Sequence, residues 1–358
     1  MKRLFTIIFL WIGFTVPALP VKAGTIDSLR YFRADHRLIR YTGRIDFSNL
    51  LAPRFWSPGV YIEAKFRGGD CEVIINDEEL YGYHNYLEIV VDGVARRLQT
   101  TGKNNVLRVA EGLGEGVHTL LICKNTESNI GWIEFAGMRC RGLVKLPARP
   151  KRRIEFIGNS ITCGASSDLS GIPCGAGKWH DQHNAYMAYG PQTARTLNAE
   201  WQLTAVSGIG LMHSCCQLDI VMPQVFDKVQ LRSDSIAWDF GKYQPDVVTV
   251  CLGQNDGIQD SAVFCDRYTG FLNRLRKVYP RATIVCLSSP MADAALNTVL
   301  KRYITAIVDL ENSRGDTKIQ RFFYVKRYYH GCDTHPDLQE HGEIAGELSA
   351  YIKKLMHW

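Results

Sequence analysis

The sequence predicts two unlike halves: a β-sandwich of jelly-roll type followed by an α/β domain built on a parallel sheet. Three observations carry this. Residues 25–145 read as short β-branched and aromatic strands separated by turn residues. The stretch Leu146-Pro147-Ala148-Arg149-Pro150 then breaks the chain. Beyond it, apolar strands alternate with helical runs, the pattern of a parallel sheet covered on both faces.

In the first half, residues 60–66, 71–75, 86–91, 106–109, 117–122 and 133–135 are the clearest strands, and Gly68-Gly69-Asp70, Asn76-Asp77 and Asp92-Gly93 are the turns between them. With no helical run among them, they argue a sandwich. In the second half, strands are expected at 154–157, 202–206, 246–252, 282–287 and 322–325. Helices are expected at 186–197, 262–278, 297–310 and 340–355. The domains are therefore placed at 24–146 and 147–358.

The first 23 residues stand apart. Lys2 and Arg3 precede an apolar run over residues 4–16, then Pro17, Pro20 and small residues ending at Ala23. This describes a cleaved secretory signal, too short in its apolar part to span a bilayer. No Cys follows the cleavage position, so no lipid anchor is indicated, and a secreted or periplasmic product is expected.

Composition bounds the rest. A content of 46% hydrophobic and 22% charged residues over 358 positions suits a globular chain and excludes a disordered or fibrous one. Without Lys2, Arg3 and Lys22 the 42 basic residues fall to 39 against 36 acidic, a net +3 that points to neither nucleic acid nor an anionic membrane. The eleven cysteines include no CxxC, and the adjacent Cys215 and Cys216 are poorly placed to chelate one metal ion. Cys163 with Cys174 is a short-loop disulfide candidate, and the remainder read as buried thiols.

Ligands of parallel sheets bind beyond the carboxyl ends of the strands. Four such positions carry polar or conformationally special residues: Gly158-Asn159-Ser160-Ile161-Thr162, Ser207-Gly208-Ile209-Gly210, Gly253-Gln254-Asn255-Asp256, and Gly331-Cys332-Asp333-Thr334-His335-Pro336. Acyl transfer needs these types together. Ser160 is the candidate nucleophile and His335 its base. The backbone N–H groups of Ser160 and Gly208 and the side-chain amide of Asn255 are candidate oxyanion donors. Taken singly, the serine is an ordinary helix N-cap and His-Pro an ordinary surface turn. Their force lies in occurring together, in this order, at the ends of alternating strands.

The set resembles the SGNH (GDSL-like) hydrolases: Gly158-x-Ser160, Gly208, Gly253-x-Asn255-Asp256 and His335-Pro336 match the four blocks. The resemblance implies a three-layer α/β/α sandwich with a five-stranded parallel sheet. Further stretches, among them Ala205-Val206-Ser207-Gly208-Ile209-Gly210-Leu211, Trp238-Asp239-Phe240 and Tyr243-Gln244-Pro245-Asp246, are similar to carbohydrate esterase family 2, which sets a jelly-roll before the SGNH domain. That resemblance implies an O-acetylesterase acting on acetylated oligo- or polysaccharides such as xylan and glucomannan, with no metal and no organic cofactor. Two departures stand out. Asn159 occupies a position usually held by Asp. The Asp-x-x-His pattern would put the acid at 332, which is Cys, and Asp333 is only two residues before His335. Either Asp333 orients the imidazole as a third catalytic member or a backbone carbonyl does.

Three further side chains are candidates for substrate contact: Trp238 for stacking on a sugar face, and His180 and His213 for bordering the groove. Two other readings remain open on sequence alone. One is a lipase or thioesterase of the same superfamily; the other is a carbohydrate-binding protein without catalysis.

Overall fold

A computed structural model of the chain describes residues 29–232 and 236–358. The expected leader at 1–23 lies outside the described residues. The first half comprises β1 (Arg30–Phe32), β2 (Arg40–Thr42), β3 (Arg54–Phe55), β4 (Tyr61–Asp77), β5 (Tyr86–Val91), β6 (Val94–Gln99), β7 (Asn104–Ala110), β8 (Val117–Lys124) and β9 (Ile133–Val144). They form one nine-stranded antiparallel sheet.

The sheet branches at β4, whose 17 residues serve two sets of neighbours. Residues 61–67 pair with β8 and residues 71–76 with β7, and the register against β9 shifts between Arg67 and Cys71. Gly68-Gly69-Asp70 lies in that shift, so the sequence expected to be a turn between two strands is a bulge inside one long strand. Phe66, Val73, Ile75, Leu87, Ile122 and Phe135 fill the core between the layers.

The second half has β10 (Arg152–Gly158), α1 (Ser160–Cys163), α2 (Tyr189–Thr196), β11 (Ala199–Ala205), α3 (Met222–Val225), β12 (Val247–Cys251), α4 (Ser261–Val278), β13 (Thr283–Leu287), α5 (Ala294–Ser313), β14 (Ile319–Phe322) and α6 (Leu338–Met356). The five strands are parallel in the order β11-β10-β12-β13-β14. Period-two alternation sorts their side chains. Ile157, Val248, Val250, Ile284 and Cys286 pack with α4 and α5 on one face. Ile154, Phe156, Val247, Val285 and Leu287 pack with α2 and α6 on the other. The last strand begins earlier than its aromatic run suggests: β14 ends at Phe322, and the Tyr324 N–H donates to Ser288 Oγ at 3.1 Å instead of joining the ladder.

Two contacts lock the halves together. Tyr61 of β4 stacks on Trp201 of β11 with ring centroids 4.0 Å apart, and the Trp201 indole N–H donates to Gly59 O at 2.9 Å. Arg44 is fully buried between the domains. It donates to the carbonyls of Phe226 (2.5 Å) and Lys228 (2.8 Å) and to the buried Glu155 carboxylate (3.0 Å), with its guanidinium 5.3 Å from the Trp238 ring. Glu155 also accepts from Gln202 (3.1 Å) and Thr204 (2.6 Å). Removing one partner of a buried pair strands the other without water. Arg44→Ala is therefore expected to lower unfolding stability by about 3–5 kcal/mol, read as a shift of the urea midpoint, whereas Arg40→Ala at the more accessible pair with Glu63 (3.7 Å) should shift it by much less.

Candidate active site

The strand order reverses around β10, which has β11 on one side and β12 on the other, and a crevice opens there beyond the carboxyl ends. Gly158 ends β10 and leads directly into α1. A side chain at Gly158 would place its Cβ 2.0 Å from Thr162 Oγ1, so only glycine permits so abrupt a strand-to-helix turn. Asn159 caps α1 by accepting the Ile161 N–H at 3.2 Å. Ser160 then stands at the first helical position, mostly buried beside the crevice.

Ser160 Oγ and His335 Nε2 are 2.8 Å apart. His335 follows a 3₁₀ turn over Cys332–Thr334. Its Nδ1 faces two backbone oxygens, Cys332 O at 3.2 Å and Asp333 O at 3.1 Å. Both are acceptors, so Nδ1 carries the proton and Nε2 presents its lone pair to the serine hydroxyl. The Asp333 carboxylate, expected as one possible third member, is not among the hydrogen-bond partners of the ring in the described residues; Asp333 contributes its carbonyl. The spacing of two explains this: Asp333 adopts φ 52°, ψ 38° inside the tight turn, which aims its carbonyl, not its side chain, at the imidazole.

Gly208, at φ 81°, follows β11 and lines the same cavity as the serine. Its carbonyl accepts the Cys215 N–H at 2.9 Å. A side chain here would be strained by the left-handed backbone and pressed toward Cys215 Sγ at 3.3 Å. Asn255 follows β12, and its Nδ2 donates one hydrogen to Ile209 O at 2.8 Å. The amide keeps a second N–H for the crevice. The neighbouring Asp256 is structural: its carboxylate takes the N–H groups of Leu211 (2.9 Å), Met212 (2.7 Å) and His213 (3.0 Å), fixing the loop beyond Gly208. Ser160, His335, Gly208 and Asn255 line one cavity of about 560 Å³.

The three candidates for substrate contact are placed elsewhere. Trp238 is buried in the domain interface beneath Arg44, with Trp56, Val229 and Tyr243. His180 is fully buried among Tyr83, Tyr86 and Trp179, and burial pushes its imidazole down to about 4. His213 lines a different depression, with Met212, Gln224 and Arg267. Trp238 and His180 are used for packing, and His213 contributes its backbone N–H to the Asp256 carboxylate.

Other residues take their place. Trp179, Asn129, Gln217, Gln254 and Met291 share the cavity wall. Asn129 comes from the first domain, in the 3₁₀ turn Ser128–Ile130 between β8 and β9. Beside it Glu127 is fully buried and reaches beneath the site. It accepts from the Ser207 N–H (2.6 Å), the Ser207 hydroxyl (2.5 Å) and His183 Nε2 (3.2 Å). Burial alone would raise its carboxyl, but the hydrogen bonds from His183 and Ser207 hold it below the ordinary value. The cysteines also pair differently. Cys163 stays a buried thiol 3.8 Å from Glu127, Cys174 is bridged to Cys332, and Cys215 is bridged to Cys216 on the cavity wall. Among the described residues no group of three His, Cys, Asp or Glu could hold a metal ion.

A serine and histidine in contact, beside amide donors at the ends of a doubly wound parallel sheet, define a GDSL-like serine hydrolase. Residues 156–336 match the GDSL-like lipase/acylhydrolase family, and residues 41–150 match the carbohydrate esterase 2 N-terminal family. The chain belongs to carbohydrate esterase family 2 and is an ester hydrolase. It is 33% identical over 341 residues to the cellulase/esterase CelE of Acetivibrio thermocellus, covering 90% of this chain but 40% of that longer protein. It is 25% identical to an acetylxylan esterase/glucomannan deacetylase of Cellvibrio japonicus, with both chains covered in full (100%). Among solved structures it resembles a family two carbohydrate esterase from Clostridium thermocellum in complex with cellohexaose, at TM-score 0.82 and 30% identity, covering 89% of this chain and 99% of that one.

Two outcomes follow from the geometry. Desolvation lowers the His335 imidazole from its ordinary value of 6.5, and the two carbonyls and Asp333 only partly oppose this. The base must be neutral to accept a proton, so kcat/KM should rise with pH and reach half its plateau below 6.5; a midpoint above 6.5 would contradict the burial seen here. Because Asp333 acts through its carbonyl, Asp333→Asn should keep kcat within about tenfold, against the ~10⁴-fold loss when the acid of a buried triad is amidated.

Proposed function

We propose that this chain removes O-acetyl groups from acetylated oligo- or polysaccharides. The observation that carries the reading is the 2.8 Å contact of Ser160 Oγ with His335 Nε2 in a cavity that also holds Gly208 and Asn255. Ser160 attacks the acetyl carbonyl carbon while His335 takes the hydroxyl proton. The N–H groups of Ser160, Gly208 and Asn255 receive the negative oxygen of the tetrahedral intermediate. His335 returns the proton to the departing sugar oxygen, leaving acetate esterified to Ser160. Water, deprotonated by His335, then releases acetate and restores the serine.

Asn129, Gln217 and Gln254 on the cavity wall favour a hydroxylated substrate, since their amides both donate and accept. The acetylxylan and glucomannan activities in the name of the Cellvibrio relative support the same class of substrate. Export agrees with it: a polymer of that size is met outside the cytoplasm, and residues 1–23 have the form of a secretory leader.

Ser160→Ala and His335→Ala should each lower acetate release from acetylated xylan, glucomannan and acetylated hexoses by roughly 10⁴-fold or more, followed by proton NMR of free acetate with the fold checked by circular dichroism. A decanoate ester hydrolysed faster than the acetate would favour a long-chain lipase instead. Glycan binding that saturates with no acetate release from the unaltered protein would favour a non-catalytic binding role.

A further inference from the structure

The turn that holds His335 is made of residues that do not favour its shape. Asp333 and Thr334 both lie in the left-handed region, at φ 52° and 58°, where side-chain-bearing residues are held only by their surroundings. Hydrogen bonds supply part of the hold. The Cys332 N–H donates to Ser166 O at 2.9 Å, and the Gly331 N–H to His335 O at 2.7 Å. Yet position 332, where the superfamily pattern Asp-x-x-His would place an acid, is a cysteine whose side chain is tied to Cys174, 158 residues earlier.

The other end of that tie is itself anchored. Cys174 lies on an exposed segment, but the buried Gln182 gathers it by donating to the carbonyls of Ile172 (3.3 Å), Pro173 (3.3 Å) and Ala176 (3.1 Å). The Gln182 carbonyl in turn accepts the N–H groups of Ser167 (2.9 Å) and Asp168 (2.8 Å), a few residues after the nucleophile. The disulfide therefore references the histidine turn to the loop that continues from Ser160. We infer that the Cys174–Cys332 disulfide is the positioning device for the base, doing by covalent constraint what an acid at 332 would do by hydrogen bonding, and that hydrolysis by this chain depends on thiol redox state. The inference rests on the hydrolase reading above.

The test begins with the unaltered protein and 4-nitrophenyl acetate. No hydrolysis there would refute the hydrolase reading itself; the following outcomes bear on the disulfide alone. Cys174→Ala, Cys332→Ala and the double variant should each lower kcat about 10²-fold, the scale of a small misplacement of a reacting group. KM should stay within about twofold, and the double variant should be no worse than either single, because one bond is lost in all three. Titration with a phosphonate ester should still find one reactive serine per chain, modified more slowly. A kcat loss under tenfold in Cys174→Ala, or a double variant that loses the product of the single losses, overturns the inference.

Should the variants not fold, the native protein decides. Dithiothreitol delivers two electrons and two protons to the bridge, leaving thiols at 174 and 332 and becoming a cyclic disulfide. Loss of activity should follow alkylation of Cys174 and Cys332 by iodoacetamide, mapped by mass spectrometry, and should reverse on reoxidation by glutathione disulfide. Loss that follows only the opening of Cys215–Cys216, or full activity with Cys174 and Cys332 alkylated, overturns it.

Discussion

The Glu127 carboxylate is the point on which both halves of the site rest. It belongs to the first domain yet is wholly buried under the second. Through Ser207 it fixes the residue before Gly208 by both backbone and side chain. Through His183 it fixes the other wall: His183 Nδ1 accepts the Ser166 N–H at 3.4 Å, and Ser166 O holds the turn before His335. A carboxylate taken out of water is costly unless its oxygens are fully engaged, and here four donors engage them, the Cys163 thiol with those of Ser207 and His183. The segment that presents it is equally constrained. The buried Lys124 ammonium donates to Thr126 O (2.6 Å) and Glu127 O (3.2 Å), with burial lowering it to about 7. The first domain is thus part of the catalytic framework and not merely its neighbour.

That dependence was invisible in the sequence for a physical reason. The four strand-end blocks were legible because each is local: a strand pattern followed by a glycine, serine, asparagine or histidine says what stands at the end of that strand. The nucleophile, the base and the amide donors could be named on those grounds, and the structure brings Ser160, Gly208, Asn255 and His335 around one cavity. Glu127 and Asn129 sit between two strands of the other domain, where nothing in periodicity or spacing ties them to Ser160. Trp238, His180 and His213 failed in the opposite way. His180 and His213 follow the first two blocks in sequence, but His180 turns into an aromatic cluster and His213 lines a separate depression, while Trp238, chosen as a stacking aromatic, turns into the Arg44 interface. Distance along the chain predicted proximity; burial decided direction.

The cysteines make the same point about range. A bridge between Cys163 and Cys174 is the economical choice when only loop length is considered. Cys163 instead belongs to α1 and points into the core beside Glu127, while Cys174 faces Cys332 with Cα atoms 5.3 Å apart. Cys215 and Cys216, poorly spaced to chelate a metal, form part of the wall next to Gly208. Spacing could exclude chelation but not reveal which thiols the fold would bring together.

A base held by two carbonyls differs from one held by a carboxylate. Neutral acceptors stabilise the imidazolium less than an ionised partner does, and burial disfavours the charged ring further. In the mechanism proposed above His335 is therefore a modest base, and the remainder of the barrier would be met on the other side of the cavity by donors that need no reorganisation. The structure is arranged that way. Glu127 fixes Ser207 before Gly208, Ile209 O fixes the Asn255 amide, and Asp256 clamps the loop beyond. An ester suits such a division, because an alkoxide departs more readily than an amide nitrogen and asks less of the proton donor. With less charge behind the histidine, its placement matters more: a neutral hydrogen bond tolerates little misalignment before it is lost. The backbone turn that aims Nδ1 at Cys332 O and Asp333 O must then be stiff, and everything that stiffens it acts on the chemistry.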